Sequence, residues 1–295
     1  MAPHPRPTRS CSHHDSSYVR SPKYDWDFHT VPQTHLSSRP MHWPRGRVLG
    51  GSSAINFLMH AHASRRDLDN WEALGNAGWN FDALQPFYRR SETFHLPSAD
   101  AAKQLLTDVF DPACHGSSGP VQTGFPEGSG LLDNAWPATW KALGMGPKAD
   151  PRKGDTLGGY AVVKTMDVNA RRSHSANAYL SLAEGRDNLA ILTGAFVDKV
   201  LLEKRADNVK ATGVKFIVGD DVLEVKTKGE IILSAGTVKS PQILELSGIG
   251  SRELLEKHGI EVIVDNDNVG ENLQVRLMSA YQRAKQGMML WRVAP

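Results

Sequence analysis

The segment Arg45–Asn56, RGRVLGGSSAIN, sets Gly50-Gly51 and Ser52-Ser53 between two apolar pairs, Val48-Leu49 and Ala54-Ile55. Glycines reach backbone angles closed to other residues, and they leave the neighbouring N–H groups uncovered. The two serine hydroxyls can cap a following helix or donate to a ligand oxygen. Bare N–H groups at a helix start suit a phosphate-like anion. A capped helix after a Gly-Gly turn would use the same residues, so the loop alone leaves both readings open. A second small-residue turn, Ser234-Ala235-Gly236, follows the apolar run of GEIILSAG. Ligands of open α/β sheets sit beyond the carboxyl ends of such strands, so this turn is a candidate ligand contact too.

Histidine is the other chemistry-bearing residue. Eight of the twelve stand in the first 62 positions: His4, His13, His14, His29, His35, His42, His60 and His62. Their spacing fits no usual ligand pattern, and no metal site is expected. His60 and His62 alternate on an expected strand and read as structural or surface residues. The two cysteines, Cys11 and Cys114, form no CxxC pair and read as ordinary thiols.

Composition narrows the function classes. Lys+Arg of 34 against Asp+Glu of 32 leaves a net charge of +2, which gives no reason to expect nucleic acid or an acidic membrane as partner. No apolar run is long enough to span a bilayer. Residues 1–17 are rich in Pro, Ser and His and lack the apolar centre of a secretory signal. They read as a disordered leader, with a cytoplasmic or undefined location.

The elements that must position the two turns follow from pattern. Residues 24–44 read as irregular extended chain. Asp67 is expected to cap a helix that buries Leu68, Trp71 and Leu74 and stops at Gly75. Asn80 is expected to cap a second, with Phe81, Leu84, Phe87 and Tyr88 inward and Pro86 near its start. Residues 95–160, rich in Gly, Pro, Asp and Ser, show few elements. SHSANAYLSLA reads as a short helix, and NLAILTG and FVDKVLLE as strands. VKATGVKFIV and VLEVKTK form a hairpin around GDD. The unalternating Ile231-Ile232-Leu233 predicts a strand buried on both faces. Ser240 and Pro241 then open a helix carrying Ile243, Leu244 and Leu246, with Gly248 as its left-handed exit. Ser251 caps a further helix with Leu254 and Leu255, stopped by Gly259, and IEVIVD reads as a last strand.

Taken together, GRVLGGSSAINFLM and GEIILSAGTVKSPQILELSGIG resemble the two signature regions of the glucose-methanol-choline oxidoreductases, FAD enzymes that include aryl-alcohol oxidase, glucose oxidase and choline dehydrogenase. The likeness runs from about Tyr24 to Gln274 through YDWDF, DLDNWEALGNAGWNFDALQPFYRRSE, HGSSGPV, RRSHSANAYL, GRDNLAILTGAFVDKVLLE and VGENLQ. It implies an α/β fold in which an incomplete FAD-binding Rossmann-like domain, with a mixed or parallel sheet, interleaves with part of a substrate domain. The FAD-binding parts would cover residues 40–93 and 170–274, and a substrate-facing insertion residues 95–165. Residues 1–19 would be a leader and 279–295 a divergent tail.

The resemblance also implies FAD as cofactor, held by Val48, Gly50, Gly51, Ser52, Asn56, Met59, Val197, Ser234, Ala235 and Gly236. The implied reaction is oxidation of a small-molecule alcohol to a carbonyl by hydride transfer to flavin. The sequence departs from the family in three places: it has no GxGxxG, no HPxG-like histidine segment, and Val275-Arg276 where Asp-His is usual. No catalytic residue is assigned. The chain reads as truncated at both ends, either inactive alone or a non-catalytic remnant.

Overall fold

The structure is a computed structural model that describes residues 19–126, 130–206 and 208–273. The expected leader up to residue 18, with Cys11 and three of the histidines, lies outside them. So do Val275-Arg276 and the tail at 279–295. The chain divides into two compact units, residues 1–189 and 190–295. The architecture is mixed α/β.

In the first unit, residues 24–44 are more regular than their sequence suggests. β1 (Phe28–His29) pairs antiparallel with β2 (His42–Trp43), Phe28 opposite Trp43 and His29 opposite His42. α1 (Arg65–Ala73) starts two residues before the expected cap. Ser64 accepts from the Asp67 N–H, and the Asp67 carboxylate accepts from the Ser64 N–H. Asp67 is therefore the third residue of a capping box and not the cap. Only Leu68 of the expected face is buried; Trp71 and Leu74 are exposed. α2 (Phe81–Ser91) is capped by Asn80 as expected and buries Phe81, while Phe87 faces solvent. Arg65 of α1 grips Asp82 of α2 through two hydrogen bonds of 2.7 and 2.9 Å.

β3 (Glu92–Phe94) follows α2 directly, α3 (Ala99–Leu105) comes next, and β4 (Val121–Thr123) pairs parallel with β3. α4 (Leu131–Ala142) and the one-turn α5 (Ser175–Ala178) complete the unit. The stretch read as weakly patterned thus contains two helices and a strand. It also supplies Leu105, Phe110 and Phe125, which form a core cluster with Val163, and Phe94 and Tyr160 pack on it. Phe110 and Phe125 meet edge to face at 4.8 Å. The aromatic pairs come from loops without helical or strand period, so periodicity could not reveal them.

The second unit is built on an antiparallel meander of β5 (Ala195–Lys204), β6 (Val209–Val218) and β7 (Asp221–Lys226). Its hairpin turns on two residues, Gly219-Asp220, with Gly219 at φ 60°. That angle suits glycine at the first turn position. NLAILTG forms no strand before β5. The run Ile231-Ile232-Leu233 forms no strand and has no partner strand among the described residues, and Ile232 is 81% exposed. The expected open parallel sheet is therefore absent from the described residues. The parallel pairs are the short β3–β4 and β8 (Ile249–Gly250) with β9 (Val264–Asp265).

α6 (Gly236–Leu246) begins four residues before Ser240, at Gly236 with φ 89°. Pro241 consequently lies inside the helix, where the Thr237 carbonyl loses its usual donor. α6 packs on β5, and Ser247 fastens the two: its Oγ accepts from the Val200 N–H at 2.8 Å and donates to the Ile243 carbonyl at 2.5 Å. Gly248 makes the expected left-handed exit at φ 85°. α7 (Arg252–Lys257) buries Leu255 and ends at Gly259, also left-handed.

Ile243, not Leu244, is the buried anchor of α6. Ile243→Ala is expected to cost about 2–5 kcal/mol and Leu244→Ala clearly less. Denaturant midpoints of the two variants check this, and equal losses would mean that α6 packs through another face.

Candidate functional site

The loop Gly46–Asn56 is held from both sides. On the entry side the buried Asp25 carboxylate accepts from the N–H groups of Arg20, Asp27 and Arg45 at 2.8–3.0 Å, and the Arg47 N–H donates to the Tyr24 carbonyl at 2.7 Å. Burial alone would raise the Asp25 carboxyl, but these N–H donors and His42 bring it below its ordinary value. On the far side, RRSHSANAYL provides the clamp. Arg172 Nη1 donates to Asn56 Oδ1 at 2.7 Å and to the Ser53 carbonyl at 3.3 Å. Ser175 Oγ donates to the Gly50 carbonyl at 3.0 Å, and the Ser175 N–H donates to Ser53 Oγ at 3.1 Å.

Inside the loop the glycines do different jobs. A Cβ on Gly46 would lie 2.2 Å from the Gly51 carbonyl oxygen, so Gly46 permits the loop to fold on itself. A Cβ on Gly50 (φ 96°) would meet His174 Nδ1 at 2.6 Å. Gly50 is thus required by internal packing. Gly51 (φ 53°) has open space where its Cβ would be. Ser52 Oγ accepts from the Gly46 N–H at 3.2 Å and keeps its own proton to donate. The helix after the turn is a single four-residue 3₁₀ turn, Gly51–Ala54, shorter than the sequence suggests. Asn56 Oδ1 is occupied by Arg172 and the Leu58 N–H. Val48, Leu49, Phe57 and Met59, in the loop and just after it, are all exposed.

The remaining candidates belong to the second unit. Ser234, Ala235 and Gly236 are exposed, and Gly236 again has open space where a Cβ would stand. Val197 is half-buried on β5 opposite Phe216, beside an irregularity in the strand pairing. In the first unit, bare backbone at Gly51 and a hydroxyl proton on Ser52 leave polar donors open to a ligand.

The sequence profile of the GMC oxidoreductases matches residues 17–278. The chain belongs to the GMC oxidoreductase family. A dehydrogenase of Armillaria gallica is 40% identical over 262 residues, covering 87% of this chain and 41% of that protein. An oxygen-dependent choline dehydrogenase of Photobacterium profundum is 38% identical and covers 90% of this chain and 44% of that protein. Among solved structures, an FAD-dependent oxidoreductase from Chaetomium thermophilum superposes with a TM-score of 0.76 at 33% identity, covering 83% of this chain and 42% of that one. A fungal aryl-alcohol oxidase gives 0.73 at 28% identity, covering 82% and 41%. The chain spans less than half the length of these relatives.

In this GMC oxidoreductase the sequence reading missed a second polar centre, in the first unit. A cavity of about 400 Å³ is lined by Met59, Trp136, Trp140 and Tyr160, with His60, His62 and Arg152 on its polar side. Beneath it Glu92 is fully buried. Glu92 accepts from the Gly116 N–H and from Thr123 Oγ1, each at 3.1 Å. It is ion-paired with Arg152, with His60 at 3.3 Å and with His115 at 3.3 Å. His115 Nε2 also reaches Asp150 Oδ2 at 2.9 Å. Burial pushes the Glu92 carboxyl up, yet His115, His60 and Arg152 hold it far below the carboxylate range. Burial lowers His115, but Asp150 and Glu92 raise it above its ordinary value. Burial and the nearby Arg152 drive His62 down to about 2, so it is neutral. Arg152 Nη1 donates to His62 Nδ1 at 3.0 Å. Glu92 stands 32 positions from His60, 23 from His115 and 60 from Arg152, and no local motif joins them.

Proposed function

We propose that this chain forms part of the FAD site of a flavoenzyme that oxidises a small-molecule alcohol to a carbonyl. FAD is the family's cofactor, and the alcohol class is supported by the choline dehydrogenase and aryl-alcohol oxidase among its relatives. Bound flavin supplies the hydride acceptor. The observation that carries the reading is the bare backbone at Gly51, in a loop that Arg172 and Ser175 lock from a distant segment. A locked loop presents its donors without an ordering cost at binding. Gly51 admits the ligand to the backbone, Ser52 donates its hydroxyl, and Val48 and Met59 cover apolar surface. Asn56 acts through the loop, because its carboxamide oxygen already holds Arg172 and Leu58. In the second unit, the family resemblance implies FAD contacts at Val197, Ser234, Ala235 and Gly236.

Titrating the 295-residue chain with FAD, followed by flavin fluorescence, tests this. Gly51→Val is expected to weaken binding at least about tenfold, or about 1.4 kcal/mol. Gly75→Val is the control, since Gly75 is also left-handed (φ 101°) with open space at its Cβ but lies outside the loop. Equal flavin affinity in parent and Gly51→Val would overturn the loop's assignment. No binding by the parent would overturn the proposal that the locked loop of this chain receives FAD.

A further inference from the structure

The short ribbon of β1 and β2 brings together groups that the flavin reading does not use. His29 and His42 are directly opposed in the antiparallel register, so their side chains leave the ribbon on one face, with ring centroids 5.1 Å apart. Asp27 stands two residues before His29, outside the strand at a left-handed φ of 51°, and brings its Oδ1 to 2.8 Å from His42 Nε2. One donor atom from each of Asp27, His29 and His42 lies within 4.8 Å of the other two. We propose that Asp27, His29 and His42 form a surface site for a divalent transition-metal cation of the zinc class.

Three further observations point the same way. His42 Nε2 lies 2.8 Å from Asp27 Oδ1 and 3.7 Å from Asp25 Oδ2, and it is buried without a well-aligned hydrogen bond. This nitrogen faces two carboxylates, in ion-pair contact with Asp27 and farther from Asp25. His29 Nδ1 stands 3.0 Å from the Asp27 carbonyl; donating its proton there leaves the lone pair on the other ring nitrogen. A backbone carbonyl holding one ring nitrogen is the usual support of a metal-bound histidine. Finally, the neighbouring cations are turned elsewhere. Arg45 and Arg47 lie over the Trp43 and Trp26 rings, and among the described residues only His42 forms an ion pair with Asp25 or Asp27. Two imidazoles and a carboxylate suit Zn²⁺ or Co²⁺, with water completing the sphere. Tetrahedral ligands at about 2.0–2.1 Å stand about 3.3 Å apart, which small rotations of the exposed Asp27 and His29 side chains supply.

His60, His62 and Glu92 also gather three donor atoms within 4.8 Å. There Arg152 already supplies the positive charge, and it donates to His62 Nδ1, the nitrogen that would have to carry a proton if Nε2 bound a metal. That cluster is complete without an ion, and the ribbon cluster is not. The ribbon's ligands are invisible to sequence spacing because they meet across a register, thirteen residues apart.

The test uses the full chain and Co²⁺ alone, read by its visible absorption, with Zn²⁺ as competitor. The parent is expected to show one saturable site that Zn²⁺ displaces. His29→Gln and Asp27→Asn are each expected to weaken it at least about tenfold with unchanged circular dichroism, and His60→Gln to leave it intact. Absence of a saturable site in the parent would overturn the proposal, leaving His42 and Asp27 as a plain ion pair. So would retention of the site in His29→Gln, or its loss in His60→Gln.

Discussion

Replacing Arg152 with methionine is expected to destabilise the first unit by about 3–5 kcal/mol, the range for removing one partner of a buried ion pair. Methionine fills most of the volume, so the loss reports charge rather than packing. Glu92 would keep the Gly116 and Thr123 hydrogen bonds but lose its guanidinium. His62 Nδ1 would lose its donor as well. The damage should be relieved when the stranded carboxylate is removed too. The double variant Glu92→Gln with Arg152→Met is therefore expected to be more stable than the sum of the single losses predicts. Urea unfolding followed by tryptophan fluorescence measures all three variants. A loss under about 1 kcal/mol for Arg152→Met would show that water reaches the pair and that Glu92 is not a buried charge in solution.

That centre marks where sequence reasoning stops. Asn80 announces α2 because an N-cap acts on the next three residues, and Gly248 and Gly259 announce helix exits for the same local reason. The meander of β5 to β7 is legible from alternation and a two-residue turn. The loop Gly46–Asn56 is legible as a glycine turn with bare backbone, although only Gly51 has open space where a Cβ would stand and Gly50 is packed against His174. What the sequence could not reveal is set by distant pairing. Ser175 and Arg172 lock the loop from more than a hundred residues away. The core of Phe110, Phe125 and Val163 comes from segments with no period. The apolar run Ile231-Ile232-Leu233 misled in the opposite sense. Its composition asks for neighbours on both faces, but a strand is defined by its partners, and among the described residues it has none.

The acid side of the stability profile is expected to be set first by His62 and only later by carboxylates. Its folded value of about 2 lies far below the ordinary 6.5, because burial and Arg152 disfavour the imidazolium. Between those values the unfolded chain binds the proton and the folded chain does not, so stability falls as pH drops below about 6.5, by about 1.4 kcal/mol per unit. At pH 4.5 the loss from this group is roughly 2–3 kcal/mol. His174, also lowered by burial, adds in the same direction. His115 acts oppositely. Raised in the fold, it contributes fully below about 6.5 and is lost as pH climbs through its folded value, so it adds no slope in the window. Glu92 and Asp150 are depressed, and their contributions persist above about 4 and fade below it. His62→Gln tests the order of events, because a glutamine carbonyl can still accept from Arg152 but cannot titrate. Unfolding free energy measured from pH 7 to pH 4.5 should fall markedly less in this variant than in the parent. Parallel profiles would mean that His62 opens to solvent and takes its proton near its ordinary value.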